Sequence, residues 1–104
     1  MAAAEHHRLL FENVHVRVLE VRIPPGHFVP VHTHCWPSVV QVKSASDFLR
    51  RDENGTLIFD SRVDGAGKPG PEVAWTPPLP PHSVENVGTA EIFLIAVELK
   101  RGGA

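Results

Sequence analysis

The chain has one cysteine, Cys35, and no tyrosine. A lone thiol closes no internal disulfide, so no covalent staple is available to the fold, and a reducing, cytoplasmic setting is expected. Neither sign of charge is in excess: ten Lys and Arg stand against twelve Asp and Glu. That balance supplies no basic footprint for nucleic acid and no polybasic patch for a membrane surface. Long hydrophobic runs are missing as well. The longest, Ile92–Val97, falls far short of the roughly 18–20 apolar residues that span a bilayer. No basic stretch leading into an apolar core follows Met1, so no secretory signal is expected. The chain also shows no Ser-His-Asp order, no phosphate-cradling glycine loop and no close pair of carboxylates. The common hydrolytic and nucleotide-binding chemistries therefore have no motif to rest on.

Helix-period apolar patterning is absent too, and short β-branched runs broken by ten prolines and eight glycines take its place. Such punctuation is the signature of an all-β sandwich or barrel. At 104 residues the chain suffices for one domain, spanning 1–104, with little or no helix. Residues 1–8 are expected to be a flexible terminus, with His6 and His7 solvated. Strands are expected over Val14–Ile23, Phe28–Val31, Val39–Lys43, Asp47–Arg51, Thr56–Asp60, Val73–Trp75 and Glu91–Leu99. Asn54-Gly55 signals a two-residue type I′ hairpin. Asp64–Pro71 reads as a loop, and Thr76–Pro81 as a rigid proline-rich approach to His82. Glu91–Leu99 is apolar on both faces, which calls for a second sheet or a second subunit to cover it.

His32-Thr33-His34 puts two imidazoles on one face of a strand, with Cα atoms roughly 6.5 Å apart. Rings at that spacing can both reach one metal at about 2.0–2.1 Å. With seven histidines in the chain, chance supplies about half of one such pair, so the motif alone leaves a solvated strand face equally open. Its surroundings add to it. Gly26 precedes His32 by six positions, and His82 is followed by Asn86 in the segment PPLPPHSVENVGT.

Here the sequence resembles the cupin superfamily. Gly26-x5-His32-x-His34 follows the first cupin motif up to its glutamate, and His82-x3-Asn86 behind a proline-rich turn follows the second. The resemblance covers nearly the whole chain. It implies a single jelly-roll β-barrel, one divalent metal ion held by His32, His34 and His82, and a homodimer. Two departures stand out. Ser38 and Val39 occupy the positions of the glutamate that usually completes the ligand set, and Leu79 replaces the glycine of the second motif. The implied site is therefore a three-histidine variant, more open and more positive than the usual one.

That variant is similar to three-histidine cupin dioxygenases, which implies an iron-dependent, dioxygenase-like enzyme acting on a small chelating molecule. A non-catalytic module binding a metal or small ligand is the alternative. Fe2+ is the first expectation, and Zn2+, Ni2+ or another transition ion suits imidazole equally. Trp36, Ser38, Gln41 and Trp75 are candidate pocket residues, Gln41 being the nearest polar side chain beyond the missing glutamate. Cys35 is expected to be a small buried hydrophobe facing away from the metal.

Overall fold

The computed structural model describes residues 4–65 and 72–100. A 3-10 turn, Ala4–His6, leads into β1 (His7–Glu12), β2 (Val16–Ile23), β3 (Phe28–His34), β4 (Ser38–Ser44), β5 (Phe48–Asp52) and β6 (Leu57–Asp60). A single helical turn, α1 (Ser61–Asp64), follows, and then β7 (Val73–Thr76), β8 (Leu79–Asn86) and β9 (Ile92–Leu99). The loop expected over Asp64–Pro71 falls mostly outside the described residues.

All pairings are antiparallel. One sheet has the order β1-β2-β9-β4-β7, the other β3-β8-β5-β6. Val21, Ile23 and Ile92 of the first sheet form a buried cluster with Val29 of the second, and Phe48, Val84 and Leu94 pack against it. The second sheet supplies the cover that β9 needs on its inner face. On the outer face, Arg22 stacks over Phe93 at 3.8 Å, while Val39, Val73 and Trp75 stay exposed.

The start of the chain differs from expectation. His7 pairs with Val21 and Arg8 with Glu20, so the segment expected to be flexible enters the sheet. Val14 and His15 lie in the turn before β2, where Asn13 Oδ1 accepts from the His15 and Val16 amides. His6 is buried, with its ring nitrogen 3.3 Å from that of His27.

The Asn54-Gly55 hairpin forms, but with a four-residue loop. The Gly55 amide donates to the Asp52 carbonyl, the Asp52 amide to the Thr56 carbonyl, and Gly55 takes φ +84°. The Asp52 carboxylate, accepting from the Asn54 and Thr56 amides, selects this longer turn.

Asn86 ties the two sheets together. Fully buried, it donates through Nδ2 to the Ile23 and Ala90 carbonyls and accepts from the Gly88 amide. Asn86→Ala leaves three backbone groups without partners and should cost about 3 kcal/mol or more. A lowered urea midpoint with an unchanged slope checks this; an unchanged midpoint would contradict it.

Candidate metal centre

Val29 and His32 both point inward although they differ by an odd number of residues. A bulge between them resolves the conflict: the register of β3 against β8 shifts between Val29 and His32, and again before His34 pairs Leu79. Pro30 and the pair Pro80-Pro81 lie in these irregular stretches, where a missing amide breaks no ladder bond. The strand β8 thus starts at Leu79, inside the segment expected to be a rigid proline-rich approach.

The prolines also orient the rings. His32 Nδ1 lies 2.8 Å from the Pro30 carbonyl, and His82 Nδ1 lies 2.8 Å from the Pro80 carbonyl. A carbonyl only accepts, so each Nδ1 carries the proton and each Nε2 keeps a free lone pair. Both histidines stand two residues after the proline that binds them. His34 meets a carboxylate instead: Glu98 Oε2 lies 3.5 Å from its Nδ1.

Four imidazoles converge. The His32 ring is 4.9 Å from His34, 4.5 Å from His82 and 5.4 Å from His7. His34 is 5.7 Å from His82 and 5.8 Å from His7. Rings bound at about 2.0–2.1 Å have centroids roughly 3.2 Å from the ion, so right-angled neighbours sit roughly 4.5 Å apart and opposed ones roughly 6.4 Å. All five spacings fall in that range. The donor atoms of His7, His32 and His34 all lie within 4.8 Å of one another, a group that takes His7 in place of the expected His82. His82 adjoins this set beside His32 and His34. It is buried, being 3% exposed.

Burial is the largest influence on His32 and pushes its pKa down to about 4, against the opposing Pro30 contact, with the neighbouring histidines lowering it further. His82 is lowered in the same way, by burial first and, after the opposing Pro80 contact, by Arg50 and the other rings. Both are therefore neutral near pH 7, the form a metal requires. Converging spacing, oriented lone pairs and suppressed protonation together fit a divalent transition ion.

Two site residues escape motif reading. His7 lies in β1 opposite Val21, a residue of the cavity wall, and so shares its inward face. A histidine doublet near the start of the chain carries no signal of this. Glu98 stands in β9 directly across from Ser38, with Arg17 opposite on the other side. Ser38 is the position where the resemblance lacks its glutamate, and the neighbouring strand presents a carboxylate there. Glu98 is 1% exposed and 2.6 Å from Arg17 Nε. Burial raises its pKa, but His34 and Arg17 together outweigh that and hold the carboxyl below its usual range. A charge at an inward position of an apolar strand is the one signal of it in the sequence.

His7, His32 and His34 line a cavity of about 370 Å³ between the sheets, and His82 is not among its lining residues. Ser38 lines it, as do Val40 and Val42 on the same face of β4. Gln41 points the other way and is exposed, because strand side chains alternate. Trp75 is 60% exposed on the outer face, in register with Val39. Trp36 follows the end of β3, so strand parity does not reach it; it lies under Arg17 and Lys100 outside the cavity wall. Cys35, in the same connection, is exposed rather than buried.

No protein-family model and no curated protein matches the chain. Among solved structures it is similar to a cupin domain from Bordetella pertussis Tohama I, with 22% identity, 90% of this chain and 91% of that one covered, and a TM-score of 0.66. It is also similar to an RmlC-like cupin with a double-stranded β-helix fold from Methanocaldococcus jannaschii (13% identity, 93% and 81% covered, TM-score 0.63). A polyketide cyclase from Streptomyces resistomycificus shares the architecture at 21% identity and a TM-score of 0.58, this chain spanning 63% of its length. The barrel is a cupin fold.

Proposed function

On this barrel we propose a mononuclear metal centre held by His32, His34 and His82 together with His7, serving a dioxygenase-like enzyme that acts on a small chelating organic molecule. The convergence of four imidazoles, three of them lining an apolar cavity, carries the reading. Iron is the proposed ion for activity, since imidazole donors suit it and leave it redox-active. When bound, the ion supplies Lewis acidity and electron transfer.

The protein's own part is positional. Pro30 and Pro80 hold the rings of His32 and His82 with Nε2 presented. The Glu98 carboxylate faces His34 Nδ1 at 3.5 Å while Arg17 balances its charge. The walls from Val21, Val29, Val42 and Leu94 keep water from the reacting centre. Glu98 is the one carboxylate in the cavity wall and is engaged by Arg17, so no free general base is at hand among the described residues. That favours chemistry centred on the ion over hydrolysis.

Protein purified without a histidine tag should contain close to one transition ion per chain by elemental analysis. Added Fe2+ or Zn2+ should stabilise the stripped protein by about 2.7 kcal/mol at a hundredfold excess over the dissociation constant. Iron-loaded protein should consume oxygen with small dicarbonyls or thiols. Protein that holds no metal and gains no thermal stability from added ions would overturn the metal centre; metal without oxygen uptake across such a panel would favour a binding module.

A further inference from the structure

The cavity holds a second feature that the metal centre does not use. Arg50, on β5, faces inward with Phe48, and its guanidinium lies 5.8 Å from the Phe48 ring. Its Nε is buried without a hydrogen-bond acceptor. Among the described residues no carboxylate pairs with it, whereas Arg51, its neighbour on the opposite face, pairs with Glu85 at 3.0 Å. Arg50 is the only lysine or arginine among the described residues of the cavity wall, and the only acid there, Glu98, is held by Arg17.

A half-buried guanidinium whose Nε is buried and has no carboxylate partner is costly, and an incoming anion relieves that cost. Burial is also the sole influence on its pKa, which is lowered with no opposing acid. The surroundings restrict the anion. Ile23, Val29, Val84, Ile92 and Leu94 enclose the space, and no second cation is near to share a doubly charged group such as phosphate. A guanidinium fork matches a carboxylate in two parallel hydrogen bonds. Arg50 pairs with Val84 while His82 pairs with Asp52, so Arg50 and His82 are diagonal neighbours across β5 and β8. Such neighbours stand about 7–8 Å apart, a span that one small molecule bridges.

We propose that Arg50 is the anion seat of this cavity and binds the carboxylate of a small, otherwise apolar organic acid, directing the rest of the molecule toward the histidines. The seat itself depends only on the cavity; the direction toward the histidines rests on the metal-centre reading above.

The test uses metal-stripped protein, so that no ion competes for the carboxylate. Calorimetry compares 3-phenylpropionate and the straight-chain acids from butanoate to octanoate with their amides. At least one acid should bind the wild type about tenfold or more tighter than its amide, as a charge-assisted pair predicts. In Arg50→Met that preference should vanish while the melting temperature holds or rises, because an unpaired buried charge has been removed. Arg50→Lys, which keeps the charge and loses the fork, should retain part of the preference. Equal binding of acids and amides by the wild type, no binding of any acid, or a preference that survives in Arg50→Met would each overturn the proposal. So would a melting temperature that falls in Arg50→Met, since the guanidinium would then be satisfied within the fold. The wild-type comparison of acid with amide needs no variant, so it decides the matter even where Arg50→Met fails to fold. Stabilisation by Zn2+ in parallel samples reports on the metal centre separately.

Discussion

His32→Ala is expected to weaken Zn2+ or Fe2+ binding by on the order of a hundred- to a thousandfold, as loss of one ligand from a site worth about 10–16 kcal/mol implies. His32 and His34 each contact the other three rings, and His32 stands closer than His34 to both His7 and His82. His15, exposed in the turn before β2, should be silent when replaced. Competition against a chromophoric chelator measures both. Wild-type affinity in His32→Ala, or equal losses in the two variants, would move the site elsewhere. His7→Ala and His82→Ala, measured alongside, decide whether the ion uses the set with His7, the set with His82, or all four rings.

The same histidine sets a pH dependence. His32 has a pKa of about 4 in the folded chain against 6.5 for the ordinary side chain. The unfolded chain therefore binds more protons between those values. The stability held in the neutral ring is complete above about pH 6.5 and is lost as the pH falls toward 4. For metal binding, protons begin to compete at His32 only near pH 4, below the range where an unburied imidazole would release its ion. Thermal melts of stripped protein between pH 7.5 and 4 should show declining stability. A curve flat across that window would contradict the burial of neutral His32.

The second large effect concerns Glu98 and Arg17. Glu98→Gln keeps the shape of the side chain but removes the charge that fixes the His34 ring. Partners of this kind are worth about ten- to a hundredfold in metal affinity, and a loss in that range is expected. Arg17→Met should act on stability instead, leaving a buried carboxylate uncompensated at a cost of about 3 kcal/mol or somewhat more. The double variant Arg17→Met with Glu98→Gln should be more stable than Arg17→Met alone, since no unpaired charge remains. Urea unfolding of the three proteins supplies the cycle. If Arg17→Met unfolds at the wild-type midpoint, the pair carries no stability; if Glu98→Gln binds metal like the wild type, Glu98 does not act through His34.

Much of the architecture is legible in the sequence because its causes are local. The alternation of Leu19, Val21 and Ile23, the Pro24-Pro25-Gly26 stop and the β-branched β9 specify extended chain without reference to anything distant. The strand β1 is illegible for the opposite reason. HRLLFE alternates poorly, with Leu9, Leu10 and Phe11 all exposed, and it becomes a strand only by pairing with β2. Parity places Trp36 in the pocket only if β3 continues beyond His34; the strand stops there, and the side chain turns to Arg17 and Lys100. Gln41 is close in sequence to the missing carboxylate and faces away from it in space. The residue that stands nearest in space is Glu98, fifty-seven positions further on, because β4 and β9 are neighbours in register.

By itself the sequence pointed to an all-β barrel, and its resemblance to the two cupin motifs singled out His32, His34 and His82, since such motifs are carried by residues close together in the chain. Only the tertiary structure decided that His7 joins them, that Glu98 comes across from β9 to Ser38, and that Arg50 is left facing an apolar space without a partner. Those three outcomes depend on which strands pair and in what register, and register is an agreement between distant segments that no single segment carries.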